Sequence, residues 1–264
     1  MSAQGMAPAT ASNAVLRAIS AEVLKLRGTL ALWMCLIAPA TVALLYMLQM
    51  VVMDYGKRPT MPPDDAWKMY AQAVLALWTI LMLPLFVTLE AALLAGLEHA
   101  NQQWKHLLAL PLPRSAHYLA KSLALAGLVA ASMLVLCLLI PPGGWLLDLL
   151  QPRFGIAGPP PWRLIFSHAG IAFCAALLMV ALQGWIALRW RSFTVAVASG
   201  MTATVVGYLV GQSERFGHWY PWSMALQTMA SEPKHLDVVM IAGVGGGLLV
   251  TALAAWEFAR RDVS

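Results

Sequence analysis

The stretch Glu98–Lys121 reads EHANQQWKHLLALPLPRSAHYLAK, and the rest of the chain is arranged around it. In helical register Trp104, Leu107 and Leu108 fall at i, i+3 and i+4 and share one face. Pro111 and Pro113 end that helix, because proline lacks an N–H and pushes its predecessor out of the helical region. Ser115 then fits the N-cap of the next helix. A short amphipathic helix between two long apolar runs has the shape of an element that passes on a push.

Composition sets the class. Sixty per cent of the 264 residues are hydrophobic and 11% charged, and the mean hydropathy is +0.71. An ordinary water-soluble domain is excluded. Apolar runs of about 20 residues recur, each enough to cross the hydrocarbon of a bilayer. Cys35, Cys137 and Cys174 all fall inside such runs. They have neither metal-ligand nor disulfide spacing and read as small buried apolar residues.

The expected architecture is all-α and polytopic. Residues 1–13 are small and polar, without the basic and apolar regions of a cleavable signal. Residues 14–29 carry Val15, Ile19, Val23 and Leu26 along one stripe, the pattern of a helix lying in the inner interface. A plain extension of the first span is the alternative. A tail and interfacial helix (1–29) thus precede a six-span domain (30–258) and a short tail (259–264). The spans fall at 30–53, 70–97, 116–140, 164–188, 193–212 and 238–258. Pro84 marks a bend in the overlong second span. Residues 141–162 and 213–237 form the longer outer connections. Trp145–Leu150, bracketed by proline and glycine, is too short to span and suits the outer interface. Either connection can dip inward if protein covers its backbone.

Ten of the 17 Lys and Arg fall on the side assigned inside and seven outside, which places both termini in the cytoplasm. All eleven tryptophans but Trp78 lie near span ends or in connections, as an interfacial belt requires. The basic balance is therefore a topology signal. No basic patch with interleaved aromatics points to nucleic acid.

Catalytic and nucleotide motifs are absent. Gly243, Gly245, Gly246 and Gly247 have no following Lys-Ser/Thr and sit in an apolar run. Gly243-x-x-x-Gly247 and Gly207-x-x-x-Gly211 instead read as close helix packing. There is no HExxH and no GxSxG, and only His168 of the six histidines falls inside a span. No metal or cofactor is expected in this chain, and it is not expected to be an enzyme. Glu90 is the one ionisable residue deep in a span, about 12 Å of helix from Glu98. Such a carboxylate costs roughly 2.5 kcal/mol or more unless paired, hydrated or protonated. Two readings stand: a place in a translocation path or subunit interface, or a protonated carboxyl bonded to a neighbouring hydroxyl or lying nearer the interface.

Glu22-x-x-Lys25-x-Arg27 ahead of the first span resembles the start of ATP-binding-cassette type-two exporter permeases. Glu98-His99, Trp104-Lys105, Leu107-Leu108, Pro111/Pro113, Arg114 and Ala120-Lys121 resemble the cytoplasmic loop of that family, in its lantibiotic-immunity and bacitracin-export-like subgroup. Pro221-Trp222 and the closing Phe258-Ala259-Arg260-Arg261-Asp262 are also similar. The proline-rich segment 141–162 departs from the pattern. The resemblance implies a six-span permease of a bacterial inner membrane, paired with a second copy or a paralogue. Separate ATPase subunits, which hold the ATP and Mg, would dock beneath. It further implies that Glu98, His99, Trp104, Lys105, Leu107, Leu108 and Arg114 couple to the ATPase, and that Glu22, Lys25 and Arg27 belong to the interfacial helix. The exported substrate would be an apolar or amphipathic peptide, antibiotic or lipid-like molecule. A secondary transporter is the alternative from another class, but no internal repeat links 30–140 to 164–258. A membrane scaffold without transport is the third.

Overall fold

In the computed structural model, the described residues are 11–53, 61–100, 114–190, 192–230 and 235–260. They are helical almost throughout, and six helices among them are long and apolar enough to cross a membrane. In order these are α1 (Ala11–Leu26), α2 (Leu30–Val52), α3 (Pro63–Leu77), α4 (Leu83–Ala100), α5 (Arg114–Leu150), α6 (Trp162–Arg189), α7 (Phe193–Gly211), α8 (Pro221–Gln227), α9 (Leu236–Met240) and α10 (Gly247–Arg260). α3 and α4 form one span through a π-helical segment, Trp78–Met82, and α9 and α10 form another through Ile241–Gly246. α5 and α6 lie at the centre: α1, α2 and α10 pack on α5, and α4, α8 and α10 pack on α6.

α1 is a separate helix and not an extension of the first span. Gly28 adopts φ +75 just past its end, the left-handed position that only glycine fills without strain, and so breaks the helix. Thr29 bonds back to the Leu26 carbonyl at 2.7 Å and the chain turns into α2. The apolar stripe is divided: Leu26 is buried and Val23 exposed, and the face turned to the protein is Ala18, Glu22 and Leu26, at i, i+4 and i+8. Val23 and Leu24 are left exposed.

The bend expected at Pro84 takes the form of a π-turn just ahead of it. Pro84 has no N–H to offer the preceding turn, and the Leu83 N–H bonds the Trp78 carbonyl, five residues back. The buried Thr88 hydroxyl then returns to the Pro84 carbonyl at 2.8 Å.

The largest departure from expectation is in 141–162. Helix α5 does not stop at Pro141 but runs through Pro141 and Pro142 to Leu150, 37 residues in all, or about 55 Å. Packing holds it together where hydrogen bonds are lost. A Cβ on Gly143 would collide with the Tyr70 hydroxyl, and one on Gly144 with the Trp67 ring. The two glycines therefore let α5 press onto α3. Leu147, Phe154 and Ile156 are buried, and Trp67 Nε1 donates to the Ala157 carbonyl at 3.1 Å. Gln151 Nε2 donates to the Val51 carbonyl at 3.1 Å, tying the end of α5 to the end of α2. Trp145–Leu150 is thus the outer turn of a long helix, not a separate interfacial piece. Ser115 is likewise inside α5, which opens at Arg114, and is not its N-cap.

The second outer connection does dip inward under cover. α8 is wedged between α6 and α7 with Trp222, Ser223, Met224 and Ala225 buried. Tyr220 donates to the Ala203 carbonyl at 3.2 Å, and Gln227 to that of Gly211 at 2.8 Å. Ala203 lies about 12 Å below the end of α7 at a rise of 1.5 Å per residue, so the segment re-enters the bundle.

The glycine repeats are packing surfaces. A Cβ on Gly243 would lie 2.6 Å from the Cys174 carbonyl oxygen, one on Gly247 2.9 Å from the Leu177 carbonyl carbon, and one on Gly207 2.8 Å from Trp222 Cβ. Gly245, in the same run, faces open space. Gly243→Val should therefore lower thermal stability in detergent by the equivalent of about 1–3 kcal/mol, while Gly245→Val should leave it unchanged. Equal effects from the two substitutions would refute the packing role.

Candidate functional site

Of the predicted site residues, Glu22, Lys25 and Arg27 lie at one end of the bundle, where α1 packs, α4 finishes, α5 starts and α10 finishes. Glu98 and His99 lie in the last turn of α4, and Arg114 is the first residue of α5. The side chains of these three, and Trp104, Lys105, Leu107 and Leu108 entirely, lie outside the described residues.

What this end does show is an ion pair that joins the two sequence motifs. Lys121, two turns into α5, places Nζ 3.2 Å from Glu22 Oε2, and both side chains are only 6% exposed. Lys25, one turn along α1, bonds Glu22 Oε1 at 2.8 Å from a half-exposed position. Arg27 is exposed in the turn after α1. Glu22 was assigned only to an interfacial helix, and Lys121 was noted only as part of the loop pattern. Their contact spans 99 positions of sequence, and no periodicity can reveal it.

Burial alone would push the Glu22 carboxyl up from its ordinary 4.5; the Lys121 charge, together with the hydrogen bond and charge of Lys25, outweighs it and holds the group below that value. A carboxyl with a depressed folded pKa adds stability that is complete above the ordinary value. That stability is lost as the pH falls through the lower, folded one. The clamp is therefore fully made at neutral pH.

A second polar cluster lies at the same end. Trp185 Nε1 donates to Glu257 Oε2 at 2.8 Å, and Arg189 Nε sits 3.4 Å from Glu257 Oε1. Tyr118, near the start of α5, packs its ring on Phe258 at 5.9 Å between centroids. These contacts bind α5, α6 and α10 together just as Glu22 binds α1 to α5.

Glu90 is elsewhere. It is fully buried in α4, and neither carboxyl oxygen has a hydrogen-bond partner among the described residues. No neighbouring hydroxyl receives it, and it does not lie near the surface. Thr88, two positions earlier, meets Gly200 of α7, so Glu90 points to the opposite side of its helix. Cys35 of α2 is within electrostatic reach there, and its thiol donates to the Leu128 carbonyl of α5 at 3.5 Å. Glu90 is thus enclosed by its own chain. Among the described residues no cluster of three His, Cys, Asp or Glu could hold a metal.

The Glu22–Lys121 pair gives a direct test. Removing one partner of a buried pair leaves an uncompensated charge and costs about 3–5 kcal/mol. Lys121→Met alone should sharply lower the thermal stability of the purified protein, and Glu22→Leu with Lys121→Met should restore most of it. A double variant as unstable as the sum of the singles would show that the two side chains act independently.

The model of the ABC-2 family transporter protein matches residues 18–210, from the buried face of α1 to the last turn of α7. No curated protein matches the chain. The match takes in both halves of the Glu22–Lys121 clamp and five of the six apolar helices. By that match, the chain belongs to the ABC-2 transporter family and is a multi-pass membrane permease of it.

Proposed function

We propose that this chain is the transmembrane subunit of an ATP-driven exporter in a bacterial inner membrane. It works with separate ATPase subunits and a second permease copy or paralogue. Both termini and the segment between α4 and α5 face the cytoplasm, consistent with the excess of Lys and Arg on that side. The segment's closeness to the lantibiotic-immunity and bacitracin-export-like loop favours an apolar or amphipathic cargo, such as a peptide antibiotic.

The observation that carries this reading is the buried Glu22–Lys121 pair. It fastens α1 to the foot of α5, the helix that leaves the Glu98–Lys121 stretch. A push on that stretch reaches α5 and α1 together. Trp104, Leu107 and Leu108 supply an apolar anchor for a groove on the ATPase in the helix-in-groove manner, with Glu98, His99, Lys105 and Arg114 at the polar rim. ATP and Mg stay in the partner, whose closure moves the spans.

Truncating a central aromatic anchor costs roughly 2–4 kcal/mol of binding. Trp104→Ala combined with Leu107→Ala and Leu108→Ala should strip the ATPase from the purified complex, while insertion of the permease is unaffected. Full ATPase recovery with undiminished transport would overturn the assignment of this loop.

A further inference from the structure

Glu90 is a carboxyl deep in a span that neither the Glu22 clamp nor the coupling loop uses. It is fully buried, and neither of its oxygens has a hydrogen-bond partner among the described residues. One turn to either side, its own helix presents Phe86, Val87 and Leu94, all buried. Helix α4 packs against α2, α5, α6, α7 and the π-helical segment before it. Between their end turns, those elements hold no Asp, Glu, Lys or Arg other than Lys121. Lys121 stands two turns into α5 and is committed to Glu22. The histidines of these helices lie toward their ends: His117 at the foot of α5, and His168 two turns into α6 with Nδ1 2.9 Å from the Leu164 carbonyl. Cys35 of α2 is within electrostatic reach of Glu90, but its thiol donates to the Leu128 carbonyl at 3.5 Å.

The protein thus offers this carboxyl neither a cation nor a donor. An ionised carboxylate in such surroundings is the costliest form of the residue, and the neutral acid is the form that this packing accommodates. Once water reaches the same group, it ionises above the ordinary value of about 4.3. The closed packing therefore binds one proton more than any state in which Glu90 is wet.

We propose that Glu90 is a proton-binding site that ties the packing of α2, α4 and α5 to pH. It holds a proton while the helices are closed, gives it to water when they part, and takes one back on closing. The sign follows from the proton count: lowering the pH favours the closed packing, and raising it above the ordinary carboxylate value favours opening. Glu22 works in the opposite sense and at lower pH, since its clamp is complete above the ordinary value. The proposal needs no ATPase, so its failure and that of the exporter reading are distinguishable.

Two measurements on the full chain, purified in detergent without ATPase, test it. The first is the infrared carbonyl band of a protonated carboxylic acid, at a pH near 8 where a carboxyl in water is ionised. The wild type should show the band, and Glu90→Gln should lose it. A wild type without the band, or a band that survives in Glu90→Gln, would overturn the proposal. The second measurement reads opening through Cys35, which is 5% exposed, in a background with Cys137 and Cys174 replaced. Its labelling by a water-soluble maleimide is followed from about pH 6 to about pH 8, a range above the Glu22 titration. Comparison with Glu90→Gln in the same background cancels the chemistry of the thiol itself. The ratio of wild-type to Glu90→Gln labelling rates should rise with pH, by up to about tenfold per unit for one proton released. Glu90→Leu, which also removes the polar atoms, should behave as Glu90→Gln does. A ratio that stays constant with pH would overturn the link between this proton and the packing.

Discussion

A carboxylate that is 6% exposed at the edge of a membrane domain cannot stand without a cation, and Glu22 has two. Much of the organisation of this end follows from that requirement. Lys121 can meet Glu22 only if α1 lies across the start of α5, which is where the break at Gly28 sends it. The pair gains little net energy over a well-packed apolar contact, because both charges pay for desolvation. What it gives is position. An apolar helix in the interface can slide and roll on lipid, whereas a paired charge fixes its rotation and register. Ala18 and Leu26, which flank Glu22 on the same face, complete the contact.

The remaining spans are assembled by different means. Lipid tails are as apolar as leucine, so the helices gain nothing from merely leaving water and rely on close approach. Gly243 and Gly247 bring the last span onto the backbone of α6, Gly207 admits α8, and Gly200 admits Thr88. Two π-helical segments interrupt the spans, at Trp78–Met82 and Ile241–Gly246, and the second contains the close contact of Gly243. Glu90 breaks this economy, a buried carboxyl with neither oxygen bonded.

Span number and the glycine contacts were legible because each rests on local pattern: apolar length in one case, small residues at four-residue spacing in the other. The path of α5 was not. Pro141-Pro142 reads as a stop, and only the partners Tyr70 and Trp67, some seventy positions earlier, explain why the helix continues. The face of α1 that meets the protein was hidden for a related reason. Apolar spacing marks a stripe on that helix, but a buried ion pair turns charged Glu22 toward the protein and leaves Val23 exposed. Glu22, Lys25 and Lys121 were each visible as part of a motif. Their meeting was not, since it depends on tertiary contact. The anchor Trp104, Leu107 and Leu108 lies outside the described residues, and its role rests on sequence and family.

The central claim is that α1 and the foot of α5 move as one body when the ATPase drives the permease. It is tested by Glu22→Cys with Lys121→Cys, in a background whose three native cysteines are replaced, joined by a disulfide or a short crosslinker. The account predicts that the crosslinked permease, reconstituted with its ATPase, transports and stimulates ATP hydrolysis as well as the uncrosslinked double variant. Loss of transport on crosslinking, restored on reduction, would show that the two helices must part during the cycle and would contradict it.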